Sequence, residues 1–242
     1  MLIAVLNQSS KVTKAEHHVM TRAVGYQLRH HVAPAWNLQS PHVLAFDSLG
    51  AVPEGADILT LLDNADEANA LGYHDLTPDG RPYGRIFVIP SLDNGDAVSS
   101  VLSHEAAELL GDPLINNWSN DDRDVLHANE LCDAVEGDSY KITVYGETSI
   151  VSNFLLPAWF SAVAAPGTEF DFLANLKQPF TMTDGGYEIQ MVGGHVAVMY
   201  GASHPAWRKA EKLHPASRTA RRLAAVWGKG PTQPPPTIEA RA

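Results

Sequence analysis

One short stretch, SHEAAELLGDP at residues 103–113, constrains the fold more than any other part of the chain. It lies near the middle of the sequence, after a segment that predicts a strand and before a segment rich in carboxylates. As a helix, it places His104 and Glu108 one turn apart, about 40° from each other on one face. Glu105 is the direct neighbour of His104. The fold must therefore accommodate a helix that carries three ionisable groups in one short run.

The helix that contains this stretch is predicted to span residues 97–110. Its apolar residues recur at helical spacing and predict one buried face. They are Val98, Val101, Leu102 and Leu109. His104 and Glu108 fall outside this face, so we expect them to point towards whatever packs or binds on the opposite side of the helix.

The spacing of these polar residues is close to the His-Glu-x-x-His motif, in which two histidines hold zinc and the glutamate acts as general base. Here Glu108 stands in place of the second histidine. A catalytic zinc site needs three protein ligands and an open position for water. We expect His104 and Glu108 to be two ligands, and Glu105 to be the general base. Zinc is the expected ion, with calcium or another divalent cation as the alternative, because carboxylate oxygen favours harder cations.

Two residues compete for the place of the third ligand. Glu130, in the run NELCD, resembles the setting in which gluzincin peptidases supply a glutamate ligand from a later helix. In that pattern Asp133 would orient His104 without binding the metal itself. Asp112 is the alternative ligand, because the metzincin spacing leads to Leu114, which cannot bind a metal. We favour Glu130 over Asp112.

Strands and helices alternate ahead of this helix. The predicted order is strand, helix, strand, strand, strand, helix, with strands at residues 2–6, 42–46, 57–62 and 83–89 and the first helix at 14–32. Thr13 and Glu16 have the spacing of a capping box at the start of that first helix. Glycine and proline flank the strand at 83–89, so we predict that this strand lies at the edge of a sheet.

The second half of the chain predicts hairpins rather than further strand–helix units. One hairpin is predicted to pair residues 140–144 with 148–152, and another to pair 187–192 with 195–200. Helices are predicted at 205–212 and 217–226. The proline-rich sequence at 229–242 predicts an extended tail.

Composition limits the classes of function that fit this chain. Its 242 residues carry a net charge of −11, whereas a nucleic-acid-binding surface is basic. The single cysteine, Cys132, excludes an intrachain disulfide and a cysteine-rich zinc site. No apolar run approaches the ~20 residues of a membrane helix, and the first residues lack the basic segment of a signal peptide. We therefore expect neither a nucleic-acid partner nor a membrane partner.

Four blocks of the sequence resemble a family of bacteriophage and prophage proteins that are described as zincin-like or virion proteins. The resemblance covers about residues 70–160, and its blocks are ALGYHDLTPDGRPYGRIFV, SHEAAELLGDP, NELCDAVEGDSY and VSNFLLPAWF. It implies an α+β fold of the metzincin or archaemetzincin type, with a mixed sheet and a central helix that carries the His-Glu pair. In such folds an edge strand binds extended substrate, which implies that Tyr83, Gly84 and Ile86 contact a peptide.

The resemblance also implies a domain organisation and a setting. We expect a zincin-like domain at residues 1–165, an extension of hairpins and helices packed on it at 166–228, and the tail at 229–242. The expected location is the host cytoplasm during assembly and then the virion. The expected partners are other virion proteins, or copies of this chain held through its C-terminal tail, together with a peptide substrate if the protein is active.

Two hypotheses of function follow. In the first, the chain is a phage-encoded zinc metallopeptidase that uses a metal-activated water. In the second, it is a non-enzymatic virion component of the head, neck or tail, built on a degenerate zincin scaffold. The two differ in whether the carboxylates around the central helix leave an open metal position beside a cleft.

Overall fold

The computed structural model describes residues 1–67 and 70–204, which form a mixed α+β protein. Eleven strands lie within these residues, and their bounds are β1 Leu2–Asn7, β2 His42–Phe46, β3 Asp57–Leu62, β4 Gly72–Leu76, β5 Pro82–Phe87, β6 Trp118–Asn120, β7 Leu126–Ala128, β8 Ser139–Val144, β9 Glu147–Ser152, β10 Tyr187–Val192 and β11 His195–Tyr200. The α-helices of the same residues are α1 Lys14–Gln27, α2 Ala33–Ala35, α3 Val88–Asn94 and α4 Val98–Gly111.

The first sheet carries most of the core. Its strand order is β2-β1-β3-β5-β4, and every neighbouring pair is parallel except β4 with β5. The inner strand β1, with sequence LIAVLN, is buried over four consecutive residues. A continuous apolar run of this kind is typical of a parallel strand that is covered on both faces.

The predicted edge position of the strand at 83–89 is wrong. This strand, β5, lies between β3 and β4, and Gly84 pairs with Leu59 on one side and His74 on the other. A turn at residues 77–81 folds β4 back onto β5, with the Gly80 N–H donating to the Thr77 carbonyl at 2.8 Å. Gly84 marks close packing here and not an edge, because a Cβ atom there would lie 2.5 Å from Leu59 Cδ2.

The edge strand beside β5 is β4, which we did not predict. The predicted strand at 83–89 also ends early, because Val88 already begins α3. The expected edge strand therefore exists, but it is formed by the residues that precede the turn rather than by those that follow it.

The first helix begins at the predicted capping box. Thr13 Oγ1 accepts the Glu16 N–H at 3.2 Å, and Glu16 Oε2 accepts the Thr13 N–H at 2.8 Å. The α-helix ends at Gln27, and the chain continues through a wider π-helical turn at Leu28–Val32 into the short α2. The predicted helix at 14–32 is therefore confirmed in position, but its last turn is not α-helical.

Replacing Thr13 by alanine is expected to lower the free energy of unfolding by about 1 kcal/mol, because an N-cap hydrogen bond is lost. Replacing Glu16 by alanine removes the second bond of the box, so the double variant should lose less than the sum of the two single variants. Urea denaturation of the four proteins measures this. Strictly additive losses would contradict a reciprocal box.

The central helix α4 is covered on more than one side. It packs against β4 and β5 of the first sheet and, elsewhere on its surface, against β9 and α1. Ser103 Oγ accepts the Ser152 N–H at 2.7 Å, and Ser99 Oγ donates to the Ile150 carbonyl at 2.7 Å. The third sheet, the hairpin of β8 with β9, is thereby fixed onto the helix, and the polar side of α4 is enclosed.

The second sheet joins strands from distant parts of the chain. Its order is β11-β10-β7-β6, so the hairpin of β10 with β11 adds to strands that precede residue 165. Both predicted hairpins are confirmed. The helices predicted at 205–212 and 217–226, and the tail at 229–242, lie outside the described residues. Among the described helices, none combines the length and apolarity that crossing a membrane requires.

Candidate metal centre

The polar residues of α4 lie inside the protein rather than on its surface. His104 is 7% exposed, Glu105 is 4% exposed and Glu108 is fully buried. Burying three ionisable groups costs free energy unless charges or hydrogen bonds compensate for it. The residues around them supply this compensation.

His104 contacts two carboxylates through one nitrogen. Its Nε2 lies 3.2 Å from Glu108 Oε1 and 3.3 Å from Asp133 Oδ1. Asp133 begins a short 3₁₀ turn, Asp133–Val135, and is buried. The sequence analysis expected Asp133 to orient the imidazole ring from its other nitrogen. Asp133 instead approaches the same nitrogen as Glu108, so it lies where a third metal ligand would be.

His104 and Glu108 each stabilise the charged form of the other. Burial alone would lower the pKa of His104, but the Glu108 and Asp133 carboxylates outweigh burial and raise that pKa well above its ordinary value. Burial alone would raise the pKa of Glu108, but His104 and His74 hold it well below the ordinary value. Without a metal, an imidazolium ion therefore stands among these carboxylates, in a place that a cation could take.

Cys132 adds a sulfur to the same group. One ligand atom each of His104, Glu108 and Cys132 lies within 4.8 Å of the others, and all three residues are buried. The Cys132 N–H also donates to Glu108 Oε1 at 3.2 Å. Burial raises the pKa of the thiol well above its usual value, so Cys132 is neutral without a metal; a bound zinc would displace its proton.

His74, on the edge strand β4, contacts the other side of Glu108. Its Nδ1 lies 3.4 Å from Glu108 Oε2 and 3.5 Å from Glu105 Oε2, and the side chain is 1% exposed. His74 Nε2 lies 3.8 Å from Glu130 Oε2. Glu130 was expected to be the third metal ligand together with His104 and Glu108, but the structure places it beside His74.

Asp112, the alternative third ligand, accepts hydrogen bonds from the main chain of the next loop. Its Oδ1 accepts the Asn116 N–H at 3.2 Å and its Oδ2 accepts the Asn117 N–H at 3.0 Å. Both oxygens thus hold the loop that leaves α4, and Asp112 is not a member of the groups of described residues that could hold a metal. The physical reason is that α4 ends at Gly111, so Asp112 already belongs to the turn.

Gly111 lets the segment that carries Glu130 and Asp133 approach the helix. A Cβ atom at Gly111 would lie 2.5 Å from Leu131 Cδ1, so only glycine allows Leu131 to pack against this end of α4. The Leu131 carbonyl accepts the Leu155 N–H at 2.7 Å, which holds the segment from the other side. The acidic segment is therefore fixed by packing before any ligand binds.

The charge count of the whole cluster favours a divalent cation. Glu105, Glu108, Glu130 and Asp133 are four buried carboxylic acids, and His74 and His104 are two buried imidazoles. The carboxylic acids therefore outnumber the imidazoles by two. Buried carboxylates are costly unless cations compensate for them, and a bound metal ion would supply such compensation.

The distances also fit a metal. Two ligands that each lie about 2.0–2.2 Å from a tetrahedral zinc ion are about 3.3–3.6 Å apart. His104 Nε2 and Glu108 Oε1 are 3.2 Å apart, and His74 Nδ1 and Glu108 Oε2 are 3.4 Å apart. The second separation lies within this range and the first is slightly shorter, so a cation could enter with small side-chain movements.

The residues expected to contact substrate do not form an open edge. Tyr83, Gly84 and Ile86 lie on β5, whose main chain pairs with a strand on each side. Ile86 is fully buried. The edge strands of this sheet are β2 and β4, and β4 is the one that lies beside β5 and α4.

The sequence did not single out His74 or Cys132 as ligands. His74 could have been found from the turn at residues 77–80, because a hairpin across that turn pairs it with Gly84 and makes β4 a strand. Cys132 gave no comparable signal, since a lone buried cysteine is usually a small core residue.

Comparison of the chain with protein-family models, with curated proteins and with solved structures finds no match.

Proposed function

We propose that this chain is a zinc-dependent hydrolase of the zincin-like type, acting on peptide bonds. The observation that carries the proposal is the convergence of His104, Glu108 and Cys132, whose ligand atoms lie within 4.8 Å of one another in the interior. Nitrogen, oxygen and sulfur donors in one small group suit zinc.

The topology of the first sheet supports the zincin-like part of the proposal. It is a mixed sheet whose one antiparallel strand, β4, lies at the edge and packs beside α4. An extended peptide can add to an exposed sheet edge through main-chain hydrogen bonds. A peptide on β4 would run directly past His74 and the cluster behind it.

Glu105 is the proposed general base. A bound zinc ion would polarise a carbonyl oxygen and lower the pKa of a water molecule. Glu105 would accept the proton of that water and pass it to the departing amine. Gly72 makes room for this carboxylate, because a Cβ atom there would lie 3.0 Å from Glu105 Oε1.

Hydrolysis of an unfolded polypeptide such as casein tests the proposal. Metal-stripped protein should be inactive and regain activity with added zinc, while Glu105→Gln should lower the rate by about 100-fold or more. His104→Ala should be inactive because it lacks a ligand. His42→Ala is the matched control, since His42 is an exposed histidine on β2. Equal rates in wild type and both site variants would contradict the proposal.

A second candidate is a non-enzymatic role in which the cation only stabilises the fold. Asp133 favours it, because with His104, Glu108 and Cys132 it would complete four protein ligands and leave no position for water. The virion role implied by the sequence resemblance belongs to this candidate, with partners held through residues 229–242. Tight zinc binding without hydrolysis of casein in the same assay would favour this non-enzymatic role over the hydrolase.

A further inference from the structure

Glu108 divides the cluster into two groups. Its Oε1 faces His104 at 3.2 Å, and its Oε2 faces His74 at 3.4 Å. His74, Glu105 and Glu108 also have one ligand atom each within 4.8 Å of the others, and all three are buried. This group shares only Glu108 with the group of His104 and Cys132.

We propose that the protein holds a second divalent cation on His74, Glu105 and Glu108, with the Glu108 carboxylate bridging the two ions. The proposal rests on the proposed function, because the first ion is the one already assigned to His104, Glu108 and Cys132. A carboxylate that bridges two ions through its two oxygens is a normal feature of two-metal sites, whose ions lie about 3.5–4 Å apart.

The geometry at Glu108 Oε2 supports this second site independently. The atom is fully buried and forms no hydrogen bond of good geometry to the described residues, although His74 Nδ1 is 3.4 Å away. That distance is longer than an ordinary charge-assisted hydrogen bond of about 2.7–2.9 Å. It equals the separation expected for two ligands of one tetrahedral ion.

Glu130 completes the arrangement around His74. A histidine that binds a metal through one nitrogen usually directs its other nitrogen towards a carboxylate, carbonyl or water. His74 Nδ1 faces the proposed ion, and His74 Nε2 lies 3.8 Å from Glu130 Oε2. Glu130 therefore lies on the side of the His74 ring that faces away from the proposed ion, where it would orient the ring, and it is not assigned as a ligand of the first ion.

The second ion would use one oxygen of Glu105. Its Oε2 is the atom that faces His74, at 3.5 Å. With the second site filled, Glu105 would bind that ion through Oε2. Its other oxygen, Oε1, would accept the water proton, so the proposed role as general base is kept.

The number of bound ions tests the inference. Metal-stripped protein is titrated with zinc chloride by calorimetry, and the zinc that remains after gel filtration is measured by elemental mass spectrometry. We expect two zinc ions per chain in wild type and in the control His42→Ala. We expect one in His74→Gln and one in Glu105→Gln. The two site variants are independent, so the test survives if one of them fails to fold.

Cobalt distinguishes the two sites by their chemistry. Only the first site contains sulfur, so a thiolate-to-cobalt absorption band should persist in His74→Gln and disappear in Cys132→Ser. One zinc per chain in wild type, unchanged in His74→Gln and Glu105→Gln, would overturn the second site and leave the proposed function standing. No bound zinc in wild type would overturn both.

Discussion

Replacing Glu108 by glutamine is expected to weaken zinc binding by about 100-fold or more, the largest loss of any single substitution in the cluster. Removing a residue behind a ligand already costs 10–100-fold in metal affinity, and Glu108 is itself a ligand. Its two oxygens lie 3.2 Å from His104 and 3.4 Å from His74, so one substitution affects both groups. Glutamine keeps the volume but removes the negative charge and one of the oxygen ligands.

Competition with a zinc chelator of known affinity measures this loss. The matched control is Glu54→Gln, since Glu54 is exposed and far along the chain from α4. It should bind zinc as wild type does, and circular dichroism checks that both variants are folded. Wild-type affinity in a folded Glu108→Gln protein would show that the cluster is an ion-pair network and not a metal centre.

Replacing Gly186 by alanine is expected to lower the free energy of unfolding by about 3 kcal/mol, because overpacking against main chain cannot be relieved by a rotamer change. A Cβ atom there would press on the carbonyl group of Ala134, far inside contact distance. Ala134 belongs to the 3₁₀ turn that begins at Asp133, and its carbonyl accepts the Thr183 N–H at 2.9 Å. The substitution should therefore displace Asp133 and weaken zinc binding too.

Denaturation in guanidinium chloride measures the loss of stability. Gly50→Ala is the matched control, because nothing lies within 4 Å of a Cβ atom at that position. Its change should stay within about 0.5 kcal/mol of wild type. Similar stability of the two variants would mean that the loop at Gly186 does not support the turn that carries Asp133.

The sequence predicted the helix at the centre of the site because its signals are local. The apolar spacing around residues 98–109 and the capping box at Thr13 and Glu16 depend only on neighbours in the chain. The two predicted hairpins are local for the same reason. In each case the structure has the element where the pattern indicated it.

The edge strand could not be predicted in the same way. β4, with sequence GYHDL, has adjacent buried residues, Tyr73 and His74, and no apolar alternation. It becomes a strand because β5 lies across the turn and because α4 covers it. The sequence analysis assigned the edge position to β5 because of its glycine and proline residues. Gly84 is instead required because Leu59 packs closely against it.

Which residues contact the proposed metal ligands depends on tertiary packing, and the spacing of residues along the chain does not reveal that packing. Glu130 and Asp133 are three residues apart, and both are buried beside α4. Which of them faces His104 is decided by the 3₁₀ turn at Asp133–Val135 and by Leu131 packing on Gly111. The sequence therefore placed both carboxylates near α4, but it assigned Glu130 the position beside His104 that Asp133 has.

Anomalous diffraction at the zinc absorption edge, from crystals grown with zinc, tests the central claim most directly. We expect a peak about 2.0–2.2 Å from His104 Nε2 and from Glu108 Oε1, with Cys132 Sγ about 2.3 Å from the same peak. The absence of a peak there, with His104 still in contact with Glu108 and Asp133, would contradict a metal centre on α4.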